Sequence, residues 1–369
     1  MTTPNAVLKP SGRVQAVDIM RGLTMAWMIL VNNPGGPSVF APLKHAAWNG
    51  LTPTDLAYPF FMFIMGVSIC FSMRRYSASR AGALRRILVR SLLIYVIGVA
   101  LCCAGPLARG TFSLEGIRIL GVLQRLAIVY LAGALIYLFV PRRIHLPLAF
   151  LLLLAYILIL QLADGYVHSA QNICARVDVS VLGASHMITE KGVDGRFAFE
   201  PEGILSTLPC FAHVLFGTFV GRLVLERPDH GEKVRRIAVF GTLLLFGGYL
   251  LQYLDPINKK LWTSSFVLVT CGAAALLLSL LINICDVGGK SSGGGFFKVF
   301  GTNALLAYIL SQLLNLPLKL LGPRDFLVDR VFVPAFGPYW GSLAYSLLFV
   351  LLIWIIVYPL YRKKIFFRV

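Results

Sequence analysis

Charged side chains are scarce in this sequence, at 14% of 369 residues, whereas apolar side chains make up 57%. A soluble domain could not bury so much apolar surface, so the composition excludes an ordinary soluble globular fold. Acidic residues are especially few, with 16 against 34 basic residues and a net charge of +18. The basic residues fall at the ends of apolar runs and are not interleaved with aromatics. This pattern favours membrane orientation over nucleic-acid binding.

Several motifs for catalysis and metal binding are also missing. The seven cysteines form no CxxC pair, and no His, Asp, Glu or Cys residues have convincing metal-ligand spacing, so we expect no metal. There is no GxSxG motif and no evident Ser-His-Asp arrangement. A disulfide between Cys174 and either Cys102 or Cys103 is left open. No apolar stretch with a small-residue cleavage site opens the sequence, so we expect no removed signal peptide.

Ten apolar runs are long enough to cross a bilayer core of roughly 30 Å, which takes about 20 residues per helix. They predict an all-α, polytopic membrane protein with a single transmembrane domain covering residues 1–369. An outer loop at 164–202 is the one long hydrophilic stretch, and its length favours a binding or lid role. The predicted spans are 16–31, 54–73, 87–104, 119–140, 145–163, 203–225, 234–254, 264–285, 297–320 and 338–361.

The distribution of basic residues predicts the orientation. Alternate loops are rich in arginine and lysine, and the positive-inside rule places these loops, together with both termini, in the cytoplasm. The segment between the first two spans and the loop at 164–202 then face outward. Because no organellar signal is recognisable, we predict that the protein lies in a bacterial cytoplasmic (inner) membrane.

The segment between the first two spans carries a dense group of reactive side chains. Asn32 closes the first span before Pro34 and two glycines, which fits either a simple turn or a close approach of backbone to a ligand. His45, Trp48 and Asn49 follow, and Asp55 lies at the boundary of the second span. An imidazole, amides, an indole and a carboxylate at one membrane boundary predict a reaction centre.

Ionisable residues within a span are costly against lipid, so we expect them to face the protein interior. In the first span, Asp18 and Arg21 are three residues apart and can form a structural ion pair.

The fourth span has its own polar group. Arg118 lies at its beginning, directly before residue 119, and the span contains Gln124 and Arg125. We interpret Arg125 as pairing with Asp55 or Glu202, or as holding an anionic ligand.

Eight ordered segments carry a family resemblance over nearly the whole chain. In these segments the sequence resembles the heparan-α-glucosaminide N-acetyltransferase family with its bacterial homologues, within the transmembrane acyltransferases. Two departures stand out. Pro34 occupies a position where animal members are richer in glycine, and the outer loop is much shorter. The segments are VDIMRG, VNNPGG, KHAAWNGLTPTDLAYPFFMFIMG, IRILGVLQRL, PEGIL, NKKLW, GTNALLAY and LYRKKIF.

The resemblance implies a transfer of acetyl from cytosolic acetyl-CoA, as co-substrate, to the amine of a terminal glucosamine or related amino sugar outside. It also implies that His45 is the catalytic histidine and that Asn32 lies near the reacting acetyl group. A histidine is suited to act as general base. Asn32 would donate a hydrogen bond to the oxyanion that forms on the thioester carbonyl, and Asp55 could orient the imidazole. Direct transfer and an acetyl-histidine intermediate both remain open. The predicted acetyl-CoA-binding residues are Arg125, Gln124, Arg118, Trp48 and Asn49, with Arg85 and Arg86 as alternatives for the phosphates.

Two other functions remain open on the sequence. A secondary transporter for a sugar or anionic solute would use Arg125 and Asp18 along its pathway. An O-acyltransferase would modify a cell-envelope glycan. The expected partners are an amino-sugar or glycan acceptor and membrane lipids, with no nucleic acid, and a homodimer is left open.

Overall fold

The computed structural model describes residues 14–74, 79–226, 229–288 and 294–367. This part of the chain is mainly helical, as predicted, with one short antiparallel hairpin formed by β1 (Ile188–Gly192) and β2 (Gly195–Phe199). The helices are α1 (Gln15–Asn32), α2 (Ala57–Met73), α3 (Arg80–Ala108), α4 (Val122–Phe139), α5 (His145–Leu162), α6 (Ile173–Leu182), α7 (Ile204–Glu226), α8 (His230–Leu251), α9 (Ser264–Leu281), α10 (Gly295–Thr302), α11 (Ala304–Leu320), α12 (Pro323–Leu327) and α13 (Val333–Arg362).

Within the described residues, eight helical segments are long and apolar enough to cross a membrane, as expected of an integral membrane protein. A ninth is added if α10 and α11, which meet at Asn303 with a bend of 84°, form one broken span. The predicted count of ten is therefore not confirmed. The remaining predicted span is the 18-residue helix α1, which is present but is not among those eight because Asp18 and Arg21 lower its hydropathy.

The connections between helices divide the bundle into two ends. We call one the His45 end; it contains the connecting segments 33–56, 109–121, 163–203 and 252–263. We call the other the Arg86 end; it contains the beginnings of α1 and α3, the segment 140–144 and residues 363–367. The extreme chain ends, residues 1–13 and 368–369, lie outside the described residues, so the predicted location of the termini stays a prediction.

The buried apolar core lies mainly among α2, α4, α7 and α9. Close packing of α2 on α7 depends on two small residues that face each other, Gly66 and Gly217. A Cβ atom at Gly217 would lie 2.3 Å from the backbone oxygen of Phe63, and one at Gly66 would lie 2.3 Å from that of Val214. Glycine at both positions therefore lets the two backbones approach, as is common between membrane helices.

The predicted outer loop at 164–202 is a small folded unit, which we call the outer unit. It contains α6 and the β1–β2 hairpin, in which Ile188 is paired with Phe199. Asn172 caps α6 by accepting a 2.8 Å hydrogen bond from the Cys174 amide. All seven cysteines are free, so the disulfide considered for Cys174 is not formed, and its thiol lies 3.5 Å from the Tyr156 hydroxyl.

We predict that Gly217→Ala destabilises the protein, because the added methyl group would collide with the α2 backbone. Overpacking of this kind costs about 1–3 kcal/mol. The matched control is Gly247→Ala in α8, where an added Cβ would meet no atom within 4 Å. Thermal unfolding in detergent should show a lower melting temperature for Gly217→Ala alone. Equal melting temperatures for the two variants would contradict the close contact.

Candidate active site

The site is built around the carboxylate of Asp55, in the helical turn that leads into α2. Thr52 and Asp55 form a capping box, and Pro53 occupies the first position of that turn, where its missing N–H costs nothing. Asp55 Oδ2 accepts hydrogen bonds from the Thr52 amide at 3.1 Å, the Thr52 hydroxyl at 3.0 Å and the Ala46 amide at 3.1 Å. These bonds fix the buried carboxylate and leave Oδ1 for other partners.

Asp55 Oδ1 lies 2.7 Å from His45 Nδ1. When Nδ1 carries the proton and donates it to Asp55, the second nitrogen, Nε2, is left with its lone pair. Within the described part of the chain, no protein atom forms a hydrogen bond to Nε2, and the side chain is 46% exposed. The arrangement therefore presents an oriented imidazole with a basic nitrogen open to a ligand.

Lys259 is a third member of this group. Its Nζ lies 2.9 Å from His45 Nδ1 and 3.4 Å from Asp55 Oδ1. Burial lowers the pKa of the Lys259 ammonium, and the attraction of the Asp55 carboxylate offsets part of that effect. Sequence reasoning missed this residue as a site residue, because Lys259 is 214 positions from His45.

The turn that carries Lys259 is attached to the His45 segment by two hydrogen bonds. The Gly50 amide donates to the Ile257 carbonyl at 2.7 Å, and Asn258 Nδ2 donates to Asn49 Oδ1 at 3.1 Å. Asn49, predicted to bind acetyl-CoA, is thus engaged in holding this turn.

Trp48 joins the same segment to the outer unit. Its indole N–H donates to the Tyr166 carbonyl at 2.9 Å, and its ring stacks on His168 with centroids 4.0 Å apart. His168 in turn lies 3.0 Å from Glu190 on β1. The outer unit is therefore held directly over the segment that contains His45.

Asn32 is the last residue of α1 and is exposed at the His45 end. Its neighbour Asn33 is buried and donates to the Ile29 carbonyl at 2.7 Å, which closes the helix. Asn32 thus lies at the same end as His45, whereas Asn33 stabilises the end of α1.

Arg118 holds two carboxylates of the outer unit. It donates to both oxygens of Glu200, at 2.8 and 2.5 Å, and to Glu202 at 2.7 Å. The predicted pairing of Arg125 with Asp55 or Glu202 is wrong: Arg118 is the partner of Glu202, and His45 and Lys259 are the partners of Asp55. The reason is position: Arg118 lies in the loop before α4, level with the Glu200–Glu202 segment.

Arg125 is fully buried in the first turn of α4. Its NH2 group donates to the carbonyls of Pro201 at 2.7 Å and Gly203 at 3.3 Å, and also to the Ser206 hydroxyl. The guanidinium carbon lies 5.4 Å from the centre of the Trp262 ring. Arg125 therefore ties α4 to the beginning of α7.

Gln124, beside it, points the other way. It is buried against α3, with its amide nitrogen 3.5 Å from Cys102 Sγ.

A cavity of about 460 Å³ opens at the Arg86 end. Its outer part is polar: Arg21 and Asp18 form the predicted ion pair at 3.4 Å, and Arg21 also donates to the Ser68 hydroxyl at 2.6 Å. The residues lining the cavity include Val14, Asp18, Arg21, Ser68, Ser72, Arg86, Arg90, Thr302 and Phe366 near its mouth, and Phe61, Met65, Ile94, Leu126 and Leu305 further in.

The cavity extends far into the bundle. Along α2 it is lined from Ser72 to Phe61, a rise of about 16 Å at 1.5 Å per residue. Phe61 is about 6 Å from the start of α2 at Ala57, next to the Asp55 turn. None of the five residues predicted to bind acetyl-CoA lines it, whereas the alternative Arg86 does.

Comparison with known proteins agrees with the family resemblance seen in the sequence. A family profile described as heparan-alpha-glucosaminide N-acetyltransferase, catalytic, matches residues 13–254. The mouse heparan-alpha-glucosaminide N-acetyltransferase is 27% identical over 431 residues, covering 99% of this chain and 62% of the mouse protein. The human heparan-alpha-glucosaminide N-acetyltransferase is 28% identical over 422 residues, covering 97% and 60%. The chain thus spans about three-fifths of the length of these relatives.

A pH-dependent stability is predicted at Asp178 of α6, which is fully buried and accepts a 2.7 Å hydrogen bond from the Ile204 amide at the start of α7. Burial raises the pKa of this carboxyl to about 6, against the opposing effects of that amide and of Arg125. The folded state then binds the proton more tightly than the unfolded state. Stability is therefore highest below the unfolded pKa and falls as the pH rises towards 6.

Asp178→Asn should remove this pH-dependent loss of stability, while keeping an oxygen that accepts the hydrogen bond from the Ile204 amide. We expect the melting temperature of Asp178→Asn, relative to wild type, to be higher near pH 8 than near pH 4 by at least about 2 °C. Asp194→Asn, in the exposed turn between β1 and β2, is the control and should give the same difference at both pH values. A pH-independent effect of Asp178→Asn would show that its carboxyl does not titrate on unfolding.

Proposed function

Since the chain belongs to the heparan-α-glucosaminide N-acetyltransferase family, we propose that it transfers acetyl from acetyl-CoA to the amine of an amino sugar across the membrane. The observation that carries the proposal is the pairing of two features at opposite ends of one bundle. An oriented, half-exposed His45 lies at one end, and a basic cavity extends towards it from the other.

The Arg86 end is the proposed cytoplasmic side. Arginine and lysine are concentrated in its segments, and the positive-inside rule relates such segments to the cytoplasm. The His45 end and the outer unit then face outward, where the acceptor is found. In a bacterium this orientation corresponds to the cytoplasmic membrane.

Acetyl-CoA is proposed to enter the cavity from the Arg86 end. Its phosphates are anionic and cannot enter hydrocarbon, so they would be held at the mouth by Arg21, Arg86 and Arg90. The pantetheine arm is narrow and fits the apolar inner part beside Phe61 and Leu126. A volume of about 460 Å³ lies within the range of known ligand sites.

The chemistry follows from the protonation of His45. The acceptor amine attacks the thioester carbonyl carbon to form the C–N bond, and His45 Nε2 takes the amine proton. Asp55 stabilises the resulting imidazolium through Nδ1, while Asn32 donates to the oxyanion. The C–S bond then breaks, and the imidazolium returns the proton to the CoA sulfur, so that the free thiol leaves.

Direct transfer requires no long-lived acyl-imidazole exposed to water, and for this reason we favour it over an acetyl-histidine. Incubation of the protein with acetyl-CoA in the absence of acceptor separates the two routes. Mass spectrometry of the His45 peptide should show no acetylation; a trapped acetyl group on His45 would establish the covalent route.

Replacing His45 should abolish turnover. We expect His45→Ala to lower the release of CoA thiol in the presence of glucosamine or other amino sugars by about 100- to 10,000-fold. His230→Ala, which removes an exposed histidine at the Arg86 end, is the matched control and should retain the wild-type rate. Normal turnover by a folded His45→Ala variant would exclude His45 as the base. Movement of labelled sugar into proteoliposomes without acetyl-CoA would instead indicate a transporter.

The binding of acetyl-CoA can be tested separately from the chemistry. Arg86→Gln and Arg90→Gln should each raise KM for acetyl-CoA by about tenfold with a smaller change in kcat, since a charge-assisted hydrogen bond is lost. Arg235→Gln removes an exposed arginine at the same end that does not line the cavity, and should leave KM unchanged. An unchanged KM in all three variants would place the nucleotide elsewhere.

A further inference from the structure

Two charged groups, the Asp55 carboxylate and the Lys259 ammonium, meet at one nitrogen of His45. The distances are 2.7 Å from Nδ1 to Asp55 Oδ1, 2.9 Å from Nδ1 to Lys259 Nζ and 3.4 Å from Lys259 Nζ to Asp55 Oδ1. A histidine paired only with a carboxylate gains basicity, because the anion favours the imidazolium. The ammonium within the same triangle has the opposite effect, and the contact is close enough for that effect to be large.

The proton arrangement allows only one bond at Nδ1. If Nδ1 carries a proton, it donates to Asp55, and the Lys259 ammonium can donate only to the carboxylate. If Nδ1 lacks a proton, Lys259 can donate to it, but Nε2 then carries the proton and cannot act as a base. Doubly protonated His45 would bring a second cation to within 2.9 Å of the ammonium.

The position of Lys259 is fixed by its turn. Asn258 Oδ1 accepts a 2.9 Å hydrogen bond from the Leu261 amide, and the Lys259 carbonyl accepts one of 3.1 Å from the Trp262 amide. Trp262 adopts a left-handed conformation with φ of 57°, which closes the turn. Together with the bonds to Asn49 and Gly50, this geometry holds the ammonium against the Asp55–His45 pair.

Among the described residues, no other charged group near Lys259 substitutes for its contact with Asp55 and His45. The groups that face Lys259 are Asp55 from the beginning of α2, Glu202 from the segment before α7 and Lys260 beside it. Lys260 itself forms a 2.8 Å ion pair with Glu190 of the outer unit. Burial lowers the pKa of Lys259, as expected for a cation that has lost water and has one carboxylate to share.

We propose that Lys259 is a positioning residue for the transfer, whose ammonium shares Asp55 with His45 and keeps the imidazole neutral, with Nε2 able to accept a proton. The inference rests on the proposed function, because it assigns His45 as the base. It adds a residue whose charge, and not only its shape, is required. Its consequence is that His45 works as a base at a lower pH than it would beside Asp55 alone.

The test compares Lys259→Met and Lys259→Gln with Lys259→Arg. The first two remove the charge, and glutamine keeps a donor for Asp55 in case the methionine variant does not fold. The acid limb of kcat/KM for CoA release should move to higher pH by about one unit in both, and stay in place in Lys259→Arg. Lys260→Met removes the neighbouring charge and should not move the limb. The acceptor amine titrates identically in all variants, so it does not contribute to the difference.

A second readout does not depend on turnover. Diethyl pyrocarbonate modifies a histidine only when its imidazole is neutral. Mass spectrometry of the His45 peptide gives the rate of this modification as a function of pH. The midpoint should rise in Lys259→Met and Lys259→Gln, and match wild type in Lys259→Arg. Equal midpoints in all variants would overturn the inference and leave Lys259 a structural residue. A shifted midpoint in a protein that transfers no acetyl to any amino sugar would support the placement of Lys259 and contradict the proposed function.

Discussion

The structure at the His45 end depends on a single buried carboxylate. An ionised carboxylate that loses its water costs several kcal/mol unless hydrogen bonds and opposite charge replace that water. For Asp55 the replacement comes from Thr52, Ala46, His45 and Lys259. Those partners belong to different parts of the chain, so satisfying one carboxylate also fixes the histidine segment, the start of α2 and the turn before α9. The same contacts that stabilise the fold thereby orient the imidazole.

The second constraint comes from the membrane: in the proposed function, the two substrates approach from opposite sides. Helices α2 and α7 pack closely through Gly66 and Gly217, and so leave no passage between them. The cavity lies on another side of α2, between α1, α3 and the broken pair α10–α11. Polar side chains line its mouth and apolar ones its inner part, as suits a ligand that is charged at one end and narrow at the other. In the proposed function, the reacting group would then need to pass only the first turn of α2, between Phe61 and Ala57.

Much of this architecture was predictable from the sequence because the bilayer restricts it. Apolar runs of about 20 residues must be helices, since hydrocarbon cannot satisfy exposed backbone groups. The prediction was less accurate where a run was interrupted. The first run contains Asp18 and Arg21, and the run at 297–320 is broken at Asn303, whose side chain bonds to Ile365 and Phe367 near the C-terminus. The outer unit was predicted by its polarity, but its helix and hairpin were not. These short elements pack in a buried cluster whose members come from distant parts of the chain, among them Tyr156, Cys174, Phe199 and Leu261.

The sequence by itself determined the class of protein, most of the spans and the segment in which His45 and Asp55 lie, since hydropathy and local clustering are properties of neighbouring residues. Only the tertiary structure decided which charged groups far apart in the sequence are partners, whereas the Asp18–Arg21 pair was predictable from its spacing. Arg118 and Arg125 are two turns apart and look alike in the sequence, yet one binds carboxylates and the other backbone carbonyls. Lys259 contacts His45 and Asp55, and Arg21 and Arg90 line the same cavity as Arg86. These contacts depend on how helices that are distant in the sequence pack together, and no local pattern of residues predicts that packing.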